Sequence, residues 1–265
     1  MSSQPDTQQL SVEEFTARCR DALIPVSNRF SYFQTAPLSE EDVREYVEEP
    51  VAALPVELAA ILPPISIVLV PYLEKLNGKE KGSASRFAVS FEPPAESRQS
   101  PSWQTVADGR ATLLFATKDR LVADYHYHFY RAIASLAADC AKSDTRNEFY
   151  GLLREELRSH VHGEVDQEGW HLKQSLVRRQ TNLRRETKAF LEYARQAMID
   201  TLTLYLHGIC CDIDVEPGPR QLPSRFLRKR LTLLEQNFGP PEGYAVFPEE
   251  VNQIHRTKEA PPSKE

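Results

Sequence analysis

Residues 189–216 constrain the fold more than any other stretch, because they have helical periodicity and are apolar on almost every side. At roughly 100° per residue, a helix over 189–209 carries six apolar residues on one side, namely Leu191, Met198, Leu202, Tyr205, Leu206 and Ile209. Phe190, Ala197 and Leu204 lie well away from that side, so apolar residues cover most of the circumference. Because a helix of this kind is packed on several sides, we expect it to be the centre of a helical bundle.

Polar residues interrupt this apolar helix along one narrow stripe, which consists of Gln196, Asp200, Thr203 and His207. The interruptions exclude a membrane span, which needs about 20 consecutive apolar residues. Buried polar groups must be paired, so the stripe either meets partners inside the protein or lines a cleft. Gly208 is placed to weaken or end the helix, and the prolines at 217 and 219 stop regular structure.

Three runs typical of strands lie close together in the chain. Residues 65–71 are continuously apolar, 86–91 alternate, and 111–116 form the third run, whereas we interpret the polar stretch 92–109 as a loop. The periodicity elsewhere predicts helices over 11–24, 39–49, 118–142, 145–162, from 167 onward and 222–238. The helix that begins at 167 either continues into 189–209 or kinks before it.

This distribution of strands and helices predicts an α+β fold. We expect a mostly helical protein, with a small antiparallel sheet of about three strands in residues 65–117 packed with a helical bundle around the central helix 189–209. The length of 265 residues and the hydrophobic content of 41% suit a single domain, placed at 11–251. Residues 1–10 and 252–265 are expected to be disordered.

The cysteines and the first residues indicate the compartment. The four cysteines have neither the spacing of a disulfide framework nor that of a zinc site. The first residues also lack the charged and apolar regions of a signal peptide. We therefore expect a soluble protein in the reducing cytoplasm.

Glu156 and His160, with Glu164 a further four residues on, are the first candidate site. Residues four apart share a helix face, and this face lies within the apolar stripe of Phe149 and Leu153. A carboxylate and an imidazole that point inward could ligate a metal or act as an acid–base pair. A buried structural ion pair, or a local rise to the surface near the helix end, is the favoured explanation, because structural ion pairs are common.

Asp200 and His207 lie two turns apart on one side of the central helix. If that side faces Glu156 and His160, two carboxylates and two imidazoles would meet in one pocket, as in a helical site for a divalent metal ion. The Glu-x-x-His pattern of such sites occurs only once, at Glu168–His171, where two copies are normally required. A metal-assisted enzyme that uses these four residues is therefore the alternative hypothesis.

Two further groups of polar residues contain side chains of the types that bind metals. His126 and His128 are about 200° apart on a helix, so they cannot bind one ion together. Asp212, Asp214 and Glu216 would share one side of an extended segment that could hold Mg²⁺ or Ca²⁺. The glycine and glutamate that complete an EF-hand loop are missing there, which favours an exposed acidic turn.

The charge distribution gives the leading functional hypothesis. Residues 173–188 and 220–230 together carry a charge of +10, which leaves −16 for the rest of a chain whose net charge is −6. Such asymmetry can mark an anionic partner, although charge runs are more often solvated helix faces. The expected partner is an acidic protein or a polyanion, and self-association would also fit. The candidate contact residues are Arg178, Arg179, Arg184, Arg185, Arg228 and Arg230.

Catalytic and nucleotide-binding motifs give no competing hypothesis. The chain contains no G-x-G-x-x-G, G-x-x-x-x-G-K-[ST] or G-x-S-x-G pattern, which argues against P-loop hydrolases, classical dinucleotide enzymes and α/β-hydrolases. We therefore expect a protein that acts through macromolecular association.

Overall fold

The computed structural model describes residues 10–76, 86–178, 185–210 and 221–247. Contacts between residues divide the chain into two compact units, one formed by residues 1–51 and 63–129 and the other by 52–62 and 130–265. The prediction of a single domain over 11–251 is not tested by this division. The predicted disordered ends lie outside the described residues except for Leu10, which is paired with Val89 in a sheet.

The first unit contains all of the strands in the described residues. They are β1 (Leu10–Ser11), β2 (Ile24–Pro25), β3 (Phe30–Gln34), β4 (Ile65–Val70), β5 (Tyr72–Leu76), β6 (Arg86–Ser90), β7 (Gln99–Ser100), β8 (Ser102–Ala107) and β9 (Arg110–Ala116). Between them lie the helices α1 (Val12–Cys19), α2 (Glu40–Val43) and α3 (Glu49–Ala52), with a π-helical turn at Arg44–Glu48. The remaining α-helices are α4 (Val56–Ile61), α5 (Val122–Cys140), α6 (Ser143–Arg158), α7 (Gln167–Arg178), α8 (Lys188–Cys210) and α9 (Ser224–Asn237).

The strands form two sheets, which confirms the α+β class and corrects the predicted sheet. One sheet has the order β1-β6-β5-β7 and is antiparallel throughout. The other has the order β2-β3-β4-β9-β8, in which β3, β4 and β9 are parallel and the two edge strands are antiparallel. The three predicted runs are the strands β4, β6 and β9, but they belong to two sheets rather than one. The stretch interpreted as a loop contains β7 and β8.

Two prolines mark the points at which the chain passes from one sheet to the other. Pro71 separates β4 of the mixed sheet from β5 of the antiparallel sheet, and Pro101 separates β7 from β8 in the opposite direction. Proline cannot donate a ladder hydrogen bond, so it interrupts pairing where the strand must change partners. The carbonyls of both prolines still accept hydrogen bonds, from the amides of Lys118 and Ala116 respectively.

Strand β4 is the centre of the first unit, because all six of its residues are buried. Val68 and Val70 pack with residues of α1 and both sheets in one hydrophobic cluster, whose other buried members are Val12, Phe15, Cys19, Leu73, Val89, Leu114 and Ala116. In the neighbouring β9, Phe115 contacts the rings of Tyr125 and Phe129 in α5. A continuously apolar sequence is what a parallel strand requires when elements cover both faces of its sheet.

The second unit is helical, and α8 is its most extensively buried helix. It contacts α6, α7 and α9, and its buried residues include polar Asp200, Thr201 and Thr203. Residues 185–187 before it are not helical, so α7 and α8 are separate helices. Helix α6 ends at Arg158, four residues before the predicted end. Within the described residues, none of the helices is both long and apolar enough to span a membrane.

Candidate functional site

Four charged side chains are buried together in the second unit, and we call them the buried charge network: Glu156, Glu164, Lys173 and Arg230. Arg230 donates from Nε and Nη2 to the two oxygens of Glu156 at 3.0 and 2.5 Å. It also donates from Nη1 and Nη2 to the two oxygens of Glu164 at 2.8 and 3.0 Å. Lys173 donates to Glu164 at 3.1 Å and to the Gly163 carbonyl at 2.8 Å. The negative charges of the two carboxylates and the positive charges of the two cations are therefore equal in number inside the protein.

Cationic neighbours keep Glu164 ionised although it is buried. Burial alone would raise the pKa of Glu164, but the charge and hydrogen bonds of Arg230, together with Lys173 and Tyr193, lower it to about 2. The Tyr193 hydroxyl donates to Glu164 at 2.5 Å, and burial beside this carboxylate raises the pKa of Tyr193 well above its usual value. Glu164 is therefore a poor candidate for proton transfer near neutral pH.

The local chain path brings Glu164 and Arg230 together. Gly163 has a φ of +85°, and a Cβ at this position would lie 2.0 Å from the carbonyl oxygen of Gln221. The amide of Leu222 donates to the Glu164 carbonyl at 3.1 Å. A glycine is therefore required both for the backbone conformation and for the close approach of two chain segments. This contact fixes the start of α9 beside Glu164.

A second polar cluster surrounds Arg131 of α5, and it joins three carboxylates. Arg131 Nη1 donates to Asp200 at 3.1 Å and to Asp166 at 3.3 Å, and its Nη2 donates to Glu168 at 3.3 Å. Asp166 and Glu168 also line a pocket of about 470 Å³ with Gln167, His171, Leu172 and Ser175.

The pKa of Asp200 in this cluster is raised well above its ordinary value. Burial raises its pKa, Arg131 lowers it and Asp166 raises it, so that the pKa is about 6. Its Oδ1 accepts hydrogen bonds from Arg131 and from Gln196, whereas its buried Oδ2 has no hydrogen-bond donor among the described residues. A Cβ on Gly169 would lie 2.9 Å from Oδ2 and 3.8 Å from side-chain carbons of Glu164. The Asp200 cluster is therefore adjacent to the buried charge network.

The four residues of the metal hypothesis occupy different surroundings. Glu156 is held by Arg230 through both oxygens, and Asp200 is bound by Arg131 and Gln196. His160 is exposed beyond the end of α6 with a φ of +52°, because the helix stops before it. His207 is half-buried, with its ring 6.0 Å from that of Tyr130.

These surroundings lend the metal-assisted alternative no support. Among the residues that the structure describes, no group of three or more His, Cys, Asp or Glu side chains could hold a metal ion. A carboxylate that binds a guanidinium through both oxygens is already committed to a charge partner. The other acidic candidates, Asp212, Asp214 and Glu216, lie outside the described residues.

The structure separates the candidate partner-binding arginines into two kinds. Arg230 is completely buried and belongs to the charge network, and Lys173 in the other basic segment is buried with it; these two residues cannot contact a partner. Arg178, Arg185 and Arg228 are exposed. Arg179 and Arg184 lie outside the described residues.

Sequence reasoning grouped Glu156 with Glu164 but assigned Arg230 to a partner-binding surface instead of to these two carboxylates. The position of Arg230 on α9 carried a usable signal, since it lies four residues before the inward Leu234. Glu164 follows α6 and belongs to no helix or strand, so the helical spacing that grouped it with Glu156 and His160 does not apply to it.

Comparison of the chain with known proteins does not indicate a function. No family model matches the chain, and no curated protein or solved structure matches it either.

Proposed function

We propose that this protein acts by association with an anionic macromolecule, and that the solvent-facing side of α9 is the contact surface. The observation that supports this most directly is a group of three exposed cations, Arg225, Arg228 and Lys229, which we call the α9 basic face. Residues spaced by three and four lie on one side of a helix. Arg230 lies about 140° from Arg225 around the helix, and it is buried.

Two of the three cations on this face have no carboxylate partner among the described residues. Within the described residues, neither Arg225 nor Lys229 forms an ion pair with a carboxylate. The first turn of α9 also contains no acidic residue. Like charges four residues apart destabilise a helix slightly, and a bound anion would relieve that repulsion.

Aromatic rings support the cations of the α9 basic face. The guanidinium of Arg225 lies 4.7 Å from the centre of the Phe226 ring, and Lys229 Nζ lies 5.8 Å from the same ring. The guanidinium of Arg228 lies 4.4 Å from the ring of Phe247. Contacts of this kind hold cationic side chains against apolar surface while their outer side remains available to an anion. The proposal places the protein in a reducing cytoplasm, where the free thiols of Cys19 and Cys140 are stable.

Retention on immobilised heparin tests this proposal. The wild-type protein should be retained at low salt and eluted as salt rises, because polyanion binding releases counterions. The triple variant Arg225→Glu, Arg228→Glu and Lys229→Glu should not be retained, and its melting temperature should stay near that of the wild type because the three side chains are exposed.

The control variant carries the same change of net charge elsewhere: Arg18→Glu, Lys75→Glu and Arg110→Glu, all exposed residues of the first unit. It should still be retained. A wild type that passes through the column at low salt, or an equal loss in both triple variants, would remove the proposal.

A further inference from the structure

We infer that the macromolecule bound at the α9 basic face is a single-stranded nucleic acid, whose unpaired bases stack on arginine side chains while its phosphates contact the cations. This assignment rests on the proposed function, because it names the partner of the same surface. It adds a second kind of contact, stacking, to the attraction between opposite charges.

The cations and the aromatic ring of α9 follow one another around the helix. At about 100° per residue, Arg228, Arg225 and Lys229 occupy about 100° of the circumference, and all three are exposed. Phe226 lies about 60° beyond Lys229 and is half-buried, and the buried Arg230 lies about 40° further on. Phe226 therefore borders the α9 basic face on the side that turns toward the protein interior.

The opposite border of this face also has an aromatic ring. Arg228 is the cation farthest from Phe226 around the helix, and its guanidinium lies over the ring of Phe247 at 4.4 Å from the ring centre. Phe247 is buried, whereas Arg228 is exposed. The guanidinium of Arg225 lies 4.7 Å from the centre of the Phe226 ring. Both arginines are therefore flat cations supported by a ring on one side.

Flat cations and rings of this kind are the groups on which proteins stack unpaired bases. Single-stranded RNA is recognised by stacking its bases on aromatic side chains and on guanidinium planes. Such stacking tolerates any sequence, because every base has an aromatic face. In a duplex, neighbouring base pairs cover those faces, so only the phosphates and the groove edges remain available. The combination of cations with rings on α9 therefore favours a single strand.

The charge of the surface is compatible with the phosphates of such a strand. Three cations lie on one side of α9, and the first turn of the helix contains no acidic residue that would repel a phosphate. An acidic segment of a protein supplies negative charges without a regular series of aromatic groups, whereas a nucleic acid supplies both at every nucleotide. The surface therefore fits a nucleic acid better than an acidic protein.

Fluorescence anisotropy with two oligomers of equal length and equal backbone charge tests the assignment. One is an oligothymidylate, and the other is an abasic oligomer with the same sugar–phosphate backbone. Wild type should bind the oligothymidylate about tenfold more tightly or better, because one stacked base contributes about that factor. Polyglutamate should compete no better than the abasic oligomer. Equal affinity for the two oligomers, or stronger competition by polyglutamate than by oligothymidylate, would overturn the assignment.

The dependence on salt separates stacking from charge. Both oligomers carry the same phosphates, so their affinities should fall in parallel as the salt concentration rises. The ratio of the two affinities should therefore stay constant. Loss of the preference for oligothymidylate with rising salt would attribute it to charge and would overturn the role of stacking.

A variant that keeps the charge tests the arginines themselves. Arg225→Lys with Arg228→Lys removes the two guanidinium planes but preserves both positive charges. This variant should still be retained on heparin, but it should bind both oligomers with equal affinity. The matched variant Arg18→Lys with Arg110→Lys, at exposed arginines of the first unit, should keep the preference for oligothymidylate.

The two proposals about this face fail in different ways. If Arg225→Lys with Arg228→Lys kept the preference for oligothymidylate, stacking on the arginines would be refuted, and retention on heparin would still support an anionic partner. If wild type were not retained on heparin at low salt, the anionic partner itself would be refuted, and the assignment of a nucleic acid with it.

Discussion

Asp200 has two carboxylate oxygens in unlike surroundings. One accepts hydrogen bonds from Arg131 and Gln196, and the other lies beside the backbone of Gly169 without a donor among the described residues. Burial raises the pKa of this carboxyl to about 6 from an ordinary value of 3.8. Ionisation of this carboxyl is therefore less favourable in the folded protein than in the unfolded chain. Glu164 shows the opposite behaviour, because its cationic neighbours lower its pKa to about 2.

The raised pKa of Asp200 predicts a particular dependence of stability on pH. Because the folded protein binds this proton more tightly than the unfolded chain, the contribution of Asp200 is fully present below about pH 3.8 and is lost as pH rises through about 6. Wild type should lose on the order of 2–3 kcal/mol between these limits through this group. Asp200→Asn should lack that loss while keeping the size of the side chain.

Urea denaturation at pH 5.0 and pH 7.5 measures this difference. The free energy of unfolding should fall more between the two values in wild type than in Asp200→Asn. Asp144→Asn, at an exposed position of α6, should behave as wild type. Equal pH dependence in wild type and Asp200→Asn would show that Asp200 does not titrate in this range.

At the scale of the elements, the buried charge network together with Tyr193 connects four helices of the second unit. Arg230 of α9 binds Glu156 of α6 and also Glu164, which in turn binds Lys173 of α7 and Tyr193 of α8. A buried ion pair often stabilises no more than a well-packed apolar pair, but removal of one partner leaves an uncompensated charge. The network therefore specifies how these helices pack more than it adds to their stability.

Replacement of Arg230 tests this role. Arg230→Met should lower the free energy of unfolding by about 3–5 kcal/mol, because two buried carboxylates lose their guanidinium. Addition of Glu156→Met should recover part of the loss, since one of those carboxylates is then removed. Arg228→Met, two residues away on the exposed side of the same helix, serves as the control and should change stability little. Chemical denaturation of all four proteins decides the outcome, and a small effect of Arg230→Met would contradict the role of the network.

The elements also show which parts of the fold could be predicted from the sequence. The apolar run of β4 and the all-round apolar character of α8 are local properties, and both were predicted correctly. The parallel pairing of β4 with β9 joins distant segments, so no local periodicity reveals it. Strand β8 was missed because its residues are exposed or half-buried, and an edge strand of this kind lacks the alternation of a buried face.

The candidate sites were predictable to a smaller extent. The inward position of Glu156 followed from helical periodicity. His160 was misplaced because α6 ends at Arg158, so the phase of the helix no longer applies to it.

At the scale of the whole molecule, the chain has two compact units with different chemistry. The first has two sheets, and the second has helices, the buried charge network and the α9 basic face. The protein has a net charge of −6, so general electrostatics would repel a polyanion. Binding of a polyanion would therefore require a local surface such as the α9 basic face.

Hydrogen exchange of the wild-type protein with and without saturating heparin at low salt tests the proposed contact surface most directly. We predict slower exchange of backbone amides in α9, above all in its first turns around Arg225, Arg228 and Lys229, because a ligand that binds the folded state suppresses local opening. Amides of β6 in the first unit should be unaffected. Unchanged exchange in α9, or protection confined to other segments, would contradict the assignment of this helix as the contact surface.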